Sequence, residues 1–153
     1  MNAGWGNVIK RCIKQDTPVP EDVLNAAYFL ITKQWMPDPF PEWITYIPSV
    51  HRSRVIVDFT SRLASKMKIP LVESINITNV TKMPVHLYEN SHQIVENNID
   101  NWSAKNTGRT SPVLLIDDFV NSRWTMTIVG RLLRMNGVEK VYPFALGCVK
   151  EKS

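Results

Sequence analysis

The sequence contains two segments in which a short apolar run is followed by a polar turn and then by apolar residues at helical spacing. In the first segment, Ile44 to Ile47 predicts a buried strand and Ser49 to Arg54 a polar turn. Apolar residues then recur every four positions from Val55 to Met67, which predicts a helix. A repeated order of strand, turn and helix is typical of a parallel sheet with right-handed crossovers.

The second segment spans residues 111 to 137. Its apolar run begins at Val113 and predicts a buried strand that ends on two carboxylates, Asp117 and Asp118. After a polar loop, apolar residues at helical spacing predict a second helix, which Gly137 ends with a positive φ. We expect the two carboxylates at the mouth of the sheet, solvated rather than packed.

Further elements are predicted on either side of these segments. Pro20 opens a helix, because proline suits a first helical turn and the acidic residues after it lie near the positive end of the dipole. The apolar runs Leu71 to Ile75 and Val141 to Leu146 predict two more strands. The fold class that follows is α/β, with a mainly parallel, twisted sheet flanked by helices.

The chain length and one irregular stretch define the predicted domain organisation. At 153 residues the chain is predicted to form one domain, with a helical segment over about residues 1–36 and a core over about 42–149. Residues 76–110 lack clear apolar periodicity, apart from a weak helix predicted from Ser91 to Trp102. A stretch of this kind inside a domain is often a lid or a binding loop.

The acidic pair and the loop after it form a candidate ligand site. Residues Asn121 to Thr125 separate the acids from the second helix. Free backbone N–H groups and the helix dipole favour an anion such as phosphate there, and ligands of open α/β sheets bind beyond the carboxyl ends of the strands. The same local pattern also fits a solvated turn followed by a helix N-cap, and the residues alone do not decide between the two.

Composition narrows the classes of function. Apolar content of 44% and charged content of 21% are ordinary for a soluble globular protein, and a net charge of +4 predicts only weak, mainly electrostatic DNA binding. No apolar run is long enough to span a membrane and no signal-peptide pattern is present, so no membrane partner is expected. Cys12 and Cys148 are too few for a disulfide framework, which favours the cytoplasm.

The segment LLIDDFVNSRWTMT resembles the ribose-phosphate signature of the type I phosphoribosyltransferases, and PSVHRSR stands where that family binds pyrophosphate. The resemblance implies that Asp117 and Asp118 are the catalytic pair at the ribose of phosphoribosyl pyrophosphate (PRPP). The implied 5′-phosphate loop comprises Asn121, Ser122, Arg123, Trp124 and Thr125. The implied pyrophosphate contacts are Ser49, Arg52 and Arg54. Mg²⁺ is the implied cofactor, held through the ligand, with the acidic pair as its candidate protein ligands.

A larger part of the chain is similar to the phosphoribosyltransferase-like region at the C-terminus of certain bacterial RecQ-type DNA helicases. The similarity rests on GWGNVIK, WITYIPSVHRSR, ENSHQ and LLIDDFVNSRWTMT. No G-x-x-x-x-G-K-[ST] motif is present, so this chain alone is not a nucleotide-driven helicase. The resemblance implies a helicase motor as a partner in the same parent chain, and a free-standing protein is the alternative that the sequence leaves open.

Two functions are consistent with these residues. The first is a binding module that recognises PRPP or a nucleotide 5′-phosphate in an accessory or regulatory role. The second is an Mg²⁺-dependent phosphoribosyltransferase that passes ribose 5-phosphate from PRPP to a base or another nucleophile. Arg123 and Trp124 replace the small residues that the family usually has in its phosphate loop, and this departure favours the binding module.

Overall fold

The computed structural model describes residues 5–49, 53–78, 101–120 and 124–148. The helices are α1 (Trp5–Gln15), α2 (Glu21–Phe29), α3 (Ser53–Met67) and α4 (Trp124–Met135), and a π-helical segment (Leu30–Trp35) extends α2. The strands are β1 (Trp43–Tyr46), β2 (Ile75–Ile77), β3 (Trp102–Ala104), β4 (Val113–Val120) and β5 (Val141–Cys148). The helix predicted from Pro20 is confirmed, as are both helices that follow the polar turns.

The main sheet is parallel and has the strand order β1-β4-β5. On the far side of β1, Leu71 forms a single parallel bridge to Ile44. The Ile44 N–H donates to the Pro70 carbonyl at 3.0 Å, and the Val72 N–H donates to the Ile44 carbonyl at 2.9 Å. The polypeptide therefore returns beside β1 after α3, as expected for a right-handed crossover.

The strand predicted over Leu71 to Ile75 is wrong beyond the Leu71 bridge. The buried hydroxyls of Ser74 and Thr45 are hydrogen-bonded at 2.8 Å, and the Ser74 carbonyl accepts from Lys105 at 2.7 Å. These bonds direct the chain away from β1, and β2 then pairs antiparallel with β3 in a second, two-stranded sheet. The weak helix predicted from Ser91 to Trp102 is wrong at its end, because Trp102 lies in β3. The start of that predicted helix lies outside the described residues.

The main sheet is buried on both faces, and α3 and α4 cover opposite ones. Leu114 and Ile116 of β4 pack in the cluster that contains α1, α2 and α3. Val113 and Leu115, which alternate with them, pack in the cluster that contains α4. Side chains alternate between the two faces of a strand, so these two clusters define the two sides of the sheet.

The end of α4 follows the predicted pattern. Gly137 has a φ of 92°, in the left-handed region that glycine tolerates best. The Val138 N–H donates to the Leu133 carbonyl at 3.2 Å, and the Gly137 N–H donates to the Arg134 carbonyl at 3.0 Å. These two bonds form a Schellman motif, which ends the helix and leads the chain into β5. No helix in the described part of the chain is long and apolar enough to cross a membrane.

Candidate functional site

The carboxyl ends of β1 and β4 lie side by side, and the region beyond them is called the crevice below. The Ile47 N–H donates to the Ile116 carbonyl at 2.9 Å, so the end of β1 meets β4 one residue before Asp117. From these two strands, α3 leads over one face toward Leu71 and α4 leads over the other face toward β5. Adjacent strands whose connections leave in opposite directions form a topological switch point, which is where ligands of open α/β sheets bind.

Asp117 and Asp118 lie within β4 at this crevice, and the two residues are only 8% and 5% exposed. The prediction that the strand ends on the acids is wrong, because β4 continues to Val120. The prediction that the pair is solvated is also wrong. The strand continues because β5 pairs with β4 as far as Val120 and Cys148, so the acids lie inside the sheet and past the end of β1.

The two carboxylates do not share one metal site. Val113 and Leu115 face α4 while Leu114 and Ile116 face α3, so by the same alternation Asp117 lies on the α4 side and Asp118 on the α3 side. No group of three potential metal ligands occurs among the described residues. The acidic pair therefore does not fit a shared Mg²⁺, and an ion at this crevice would need oxygen ligands from a bound phosphate.

The predicted phosphate loop falls partly inside α4. Trp124 and Thr125 form the beginning of this helix and are half-buried, so the helix starts before the predicted loop ends. Asn121, Ser122 and Arg123 lie outside the described residues. The first turn of α4 contains no acidic residue, so no carboxylate of its own competes with an anion at its N-terminus.

The residues predicted to bind pyrophosphate lie on the β1 side of the crevice. Ser49 is half-buried shortly after β1, and Arg54 is exposed in the first turn of α3. Arg54 makes no ion pair within the described part of the chain. Arg52 lies outside the described residues.

Asp16 also lies at this crevice, and sequence analysis missed it. Its Oδ1 accepts a hydrogen bond at 3.0 Å from the backbone N–H of Val55, the third residue of α3. Asp16 follows α1 and has a φ of 51°, and its own N–H and that of Thr17 close a Schellman pair on α1. The sequence could have indicated that Asp16 ends α1, because Asp tolerates the left-handed region at a helix end. It could not have indicated the contact with Val55, which is 39 residues away.

Tyr46 adds a neutral group near the end of β1. Its hydroxyl donates to Oε1 of Glu73 at 2.9 Å. Burial and this hydrogen bond to a carboxylate raise the pKa of Tyr46 to about 12, so the phenol stays protonated at neutral pH. Tyr46 can donate a hydrogen bond but does not serve as a general base there.

Two surface cavities lined by described residues lie away from the crevice. One, of about 370 Å³, lies between α4 and β5 and is lined in part by Gly130, Arg134 and Lys140. The other, of about 600 Å³, lies at the opposite edge of the sheet, where Phe40, Glu42 and Glu139 precede their strands. Neither contains the acidic pair, and the site is therefore located by strand topology and buried charge rather than by cavity size.

Solved structures with known functions share this fold. An adenine phosphoribosyltransferase matches 94% of this chain and 71% of its own length, with a TM-score of 0.55 and 12% sequence identity. The adenine phosphoribosyltransferase from Leishmania donovani matches 90% of this chain and 56% of its own length, with a TM-score of 0.55 and 16% identity. Glutamine PRPP amidotransferase from B. subtilis, complexed with ADP and GMP, matches 81% of this chain with a TM-score of 0.50 and 17% identity. The chain has the type I phosphoribosyltransferase fold, which confirms the predicted fold class.

The shared fold does not by itself transfer an activity, because one fold serves many functions. This chain spans about a quarter, 26%, of the length of the B. subtilis amidotransferase. No protein-family model matches the sequence, and no curated protein matches it significantly. The similarity to RecQ-type helicases therefore stays a prediction.

Proposed function

We propose that this domain binds the ribose and 5′-phosphate of PRPP or of a nucleotide in the crevice between β1 and β4, in an accessory or regulatory role. The observation that carries the proposal is the position of Asp117 and Asp118. They are buried at the switch point of a phosphoribosyltransferase fold, on the strand that leads into α4. Carboxylate oxygens each accept more than one hydrogen bond, and the hydroxyls of a ribose are suitable donors to them.

The two ends of this ligand require different environments, and the crevice supplies both. The N-terminus of α4 offers backbone N–H groups and a positive dipole end to the 5′-phosphate. The acidic pair on β4 offers acceptors to the ribose hydroxyls, and low exposure strengthens such charge-assisted bonds. A sugar that lacks the phosphate would have no anion to place at α4, so it should bind more weakly.

The residues of the site favour binding of the ligand over transfer of its ribose 5-phosphate to an acceptor. Transfer of the ribose requires charge stabilisation for the departing pyrophosphate, usually by cations or a metal. Arg123 and Trp124 stand where the family usually has small residues in its phosphate loop, and this departure favours a module that binds the ligand without transferring the ribose. In the context implied by the sequence resemblance, the domain would report nucleotide binding to a RecQ-like helicase motor.

Calorimetric titration with ribose 5-phosphate tests the proposed binding. Wild-type protein is expected to bind it, and Asp118→Asn to lower the affinity by about 1–3 kcal/mol, the usual loss for a charge-assisted hydrogen bond. Glu42→Gln is the matched control, because Glu42 is exposed immediately before β1, at the opposite edge of the sheet. Absence of binding by the wild type, or equal losses in both variants, would contradict the proposal.

A pyrophosphate-release assay separates binding from catalysis. Wild-type protein mixed with PRPP, Mg²⁺ and a purine or pyrimidine base is expected to release no pyrophosphate above the background rate. Rapid release that Asp118→Asn abolishes would make this chain an active phosphoribosyltransferase. The helicase context is tested by adding the domain to a RecQ-type motor and comparing DNA-dependent ATP hydrolysis with and without the nucleotide.

A further inference from the structure

Exposed apolar side chains are concentrated between the end of α2 and the start of β1. Of the eight large apolar side chains that are exposed in the described part of the chain, five lie within residues 29–40: Phe29, Leu30, Trp35, Met36 and Phe40. The ring of Trp35 meets that of Tyr142 edge to face, with 5.8 Å between the centroids, so this apolar surface reaches the start of β5. A group of exposed apolar side chains with a polar rim is typical of an interface with another protein.

Acidic side chains lie close to Tyr142. Glu42 and Glu139 line the cavity of about 600 Å³, together with Phe40. Burial raises the pKa of the Tyr142 hydroxyl, and the charges of Asp38 and Glu139 raise it further, so both carboxylates lie near this phenol. None of the three acids forms an ion pair within the described part of the chain.

Cationic side chains lie near Tyr142 as well, in the other cavity. Arg134 and Lys140 line the cavity of about 370 Å³ between α4 and β5, which Tyr142 also lines. Arg134 donates a hydrogen bond to the Glu139 carbonyl, which holds its guanidinium group beside the start of β5. Neither cation forms an ion pair with any described residue. The surface around Tyr142 therefore combines an acidic part, a cationic part and exposed aromatic side chains.

The outer edge of β5 has no strand partner among the described residues, because β5 is the last strand in the order β1-β4-β5. The Val113 N–H donates to the Lys140 carbonyl at 2.9 Å, so the main-chain groups of Val141 and Pro143 face away from β4. Pro143 has no N–H to donate on that side, which prevents a continuous ladder with a further strand. A partner at this edge is therefore expected to contact side chains rather than to extend the sheet.

We propose that the surface formed by Trp35, Phe40 and Tyr142, with the acidic and cationic parts beside them, binds a second copy of this chain in a two-fold symmetric dimer. A two-fold axis brings the same surface of both copies together, so the acidic part of each copy faces the cationic part of the other. The aromatic side chains form the apolar centre of this contact. A partner of a single charge sign would match only one of the two charged parts, which favours a second copy as the occupant. The inference is independent of the proposed nucleotide site.

Exchange of charge between the two parts tests this dimer. Sedimentation velocity over a range of protein concentrations is expected to show a dimer of the wild type. Glu139→Lys and Lys140→Glu should each weaken the dimer roughly tenfold, because the two symmetric contacts then join like charges. An equal mixture of the two variants should restore dimerisation, since each variant then carries the charge that complements the other. Lys105→Glu is the control, because Lys105 is exposed directly after β3 in the second sheet, and it should leave the dimer unchanged.

Three results would overturn the inference. The first is a wild type that stays monomeric at every concentration, and the second is a dimer that neither variant weakens. The third is a loss of dimerisation in both variants without recovery in their mixture, since symmetric pairing of opposite charges requires that recovery. Circular dichroism checks that each variant is folded. If Glu139→Lys does not fold, Glu42→Lys takes its place in the same mixture, because Glu42 is the other carboxylate of the acidic cavity.

Discussion

The backbone N–H of Asp118 donates a hydrogen bond to Oδ1 of Asp117 at 2.8 Å, and both residues are buried. The Asp117 carboxylate therefore contributes to folding as well as to the charge of the crevice. This contact changes what substitutions in the acidic pair are expected to do, because a buried donor that loses its acceptor is costly.

Asp117→Ala should lower the free energy of unfolding by about 1–3 kcal/mol, since it leaves the Asp118 N–H without this acceptor. Asp117→Asn should retain most of the stability, because the amide oxygen can accept the same bond. Urea denaturation of the three proteins measures the difference. Equal stability of the alanine variant and the wild type would show that the contact contributes little.

Glu21→Gln should lower stability at neutral pH but not in acid. Arg62 donates to Oε2 of Glu21 at 2.7 Å, and this bond holds the pKa of Glu21 below its ordinary value of 4.5. A depressed carboxyl pKa stabilises the fold above the ordinary value, and the contribution is lost as the pH falls through the folded pKa. Urea midpoints of wild type and variant should therefore differ at pH 7 and converge as the pH falls through the lowered pKa of Glu21.

Asp22→Asn is the control for Glu21, since Asp22 shares the first turn of α2 but forms no ion pair with Arg62 in the described structure. A loss in Asp22→Asn as large as that in Glu21→Gln would assign the effect to the helix dipole instead of the ion pair.

Gly137→Ala should destabilise the domain by about 1–2 kcal/mol, because its φ of 92° is unfavourable for an L-residue with a side chain. The new Cβ would lie 3.6 Å from Cγ2 of Thr110, an ordinary contact, so the cost comes from the backbone. Gly130→Ala is the matched control within α4. Its Cβ would lie 3.9 Å from the nearest atom, and the change should stabilise the helix by about 0.5–1 kcal/mol. Equal effects of both changes on thermal unfolding would contradict this account.

DNA binding by the domain should be weak and strongly salt-dependent. The net charge is +4, and the basic residues of α1, Lys10, Arg11 and Lys14, are exposed. If these three side chains each contact one DNA phosphate, a plot of log affinity against log salt concentration should have a slope of about −3 at most. Fluorescence anisotropy with labelled DNA measures this slope. Tight binding that hardly changes between low and physiological salt would reveal a specific DNA surface.

The helical periodicity of Val55 to Met67 predicted α3 because burial on one helix face is a local property of the sequence. The length of β4 was not predictable in the same way, since it depends on pairing with β5. The path of the chain after Leu71 was not predictable either, because it depends on the hydrogen bond between the Ser74 and Thr45 hydroxyls.

In the candidate site, too, local features were predictable from the sequence and tertiary contacts were not. The order of strand, Asp117 and Asp118, and helix was visible in the sequence, but the burial of the two acids was not, because burial depends on tertiary packing. The contact of Asp16 with α3 joins residues 39 positions apart, and only the tertiary packing of α1 brings them together.

The most direct test of the account is to map the binding of a nucleoside 5′-monophosphate by the changes it causes in backbone amide chemical shifts. If the nucleotide binds in the crevice between β1 and β4, saturable shifts are expected close to that crevice. The expected amides are those of Ser49, Asp117, Asp118, and Trp124 and Thr125 in the first turn of α4. Residues at the opposite edge of the sheet, such as Glu42 and Glu139, should not shift. Saturable shifts confined to that opposite edge, or none at all, would contradict the central claim that this crevice is the nucleotide site.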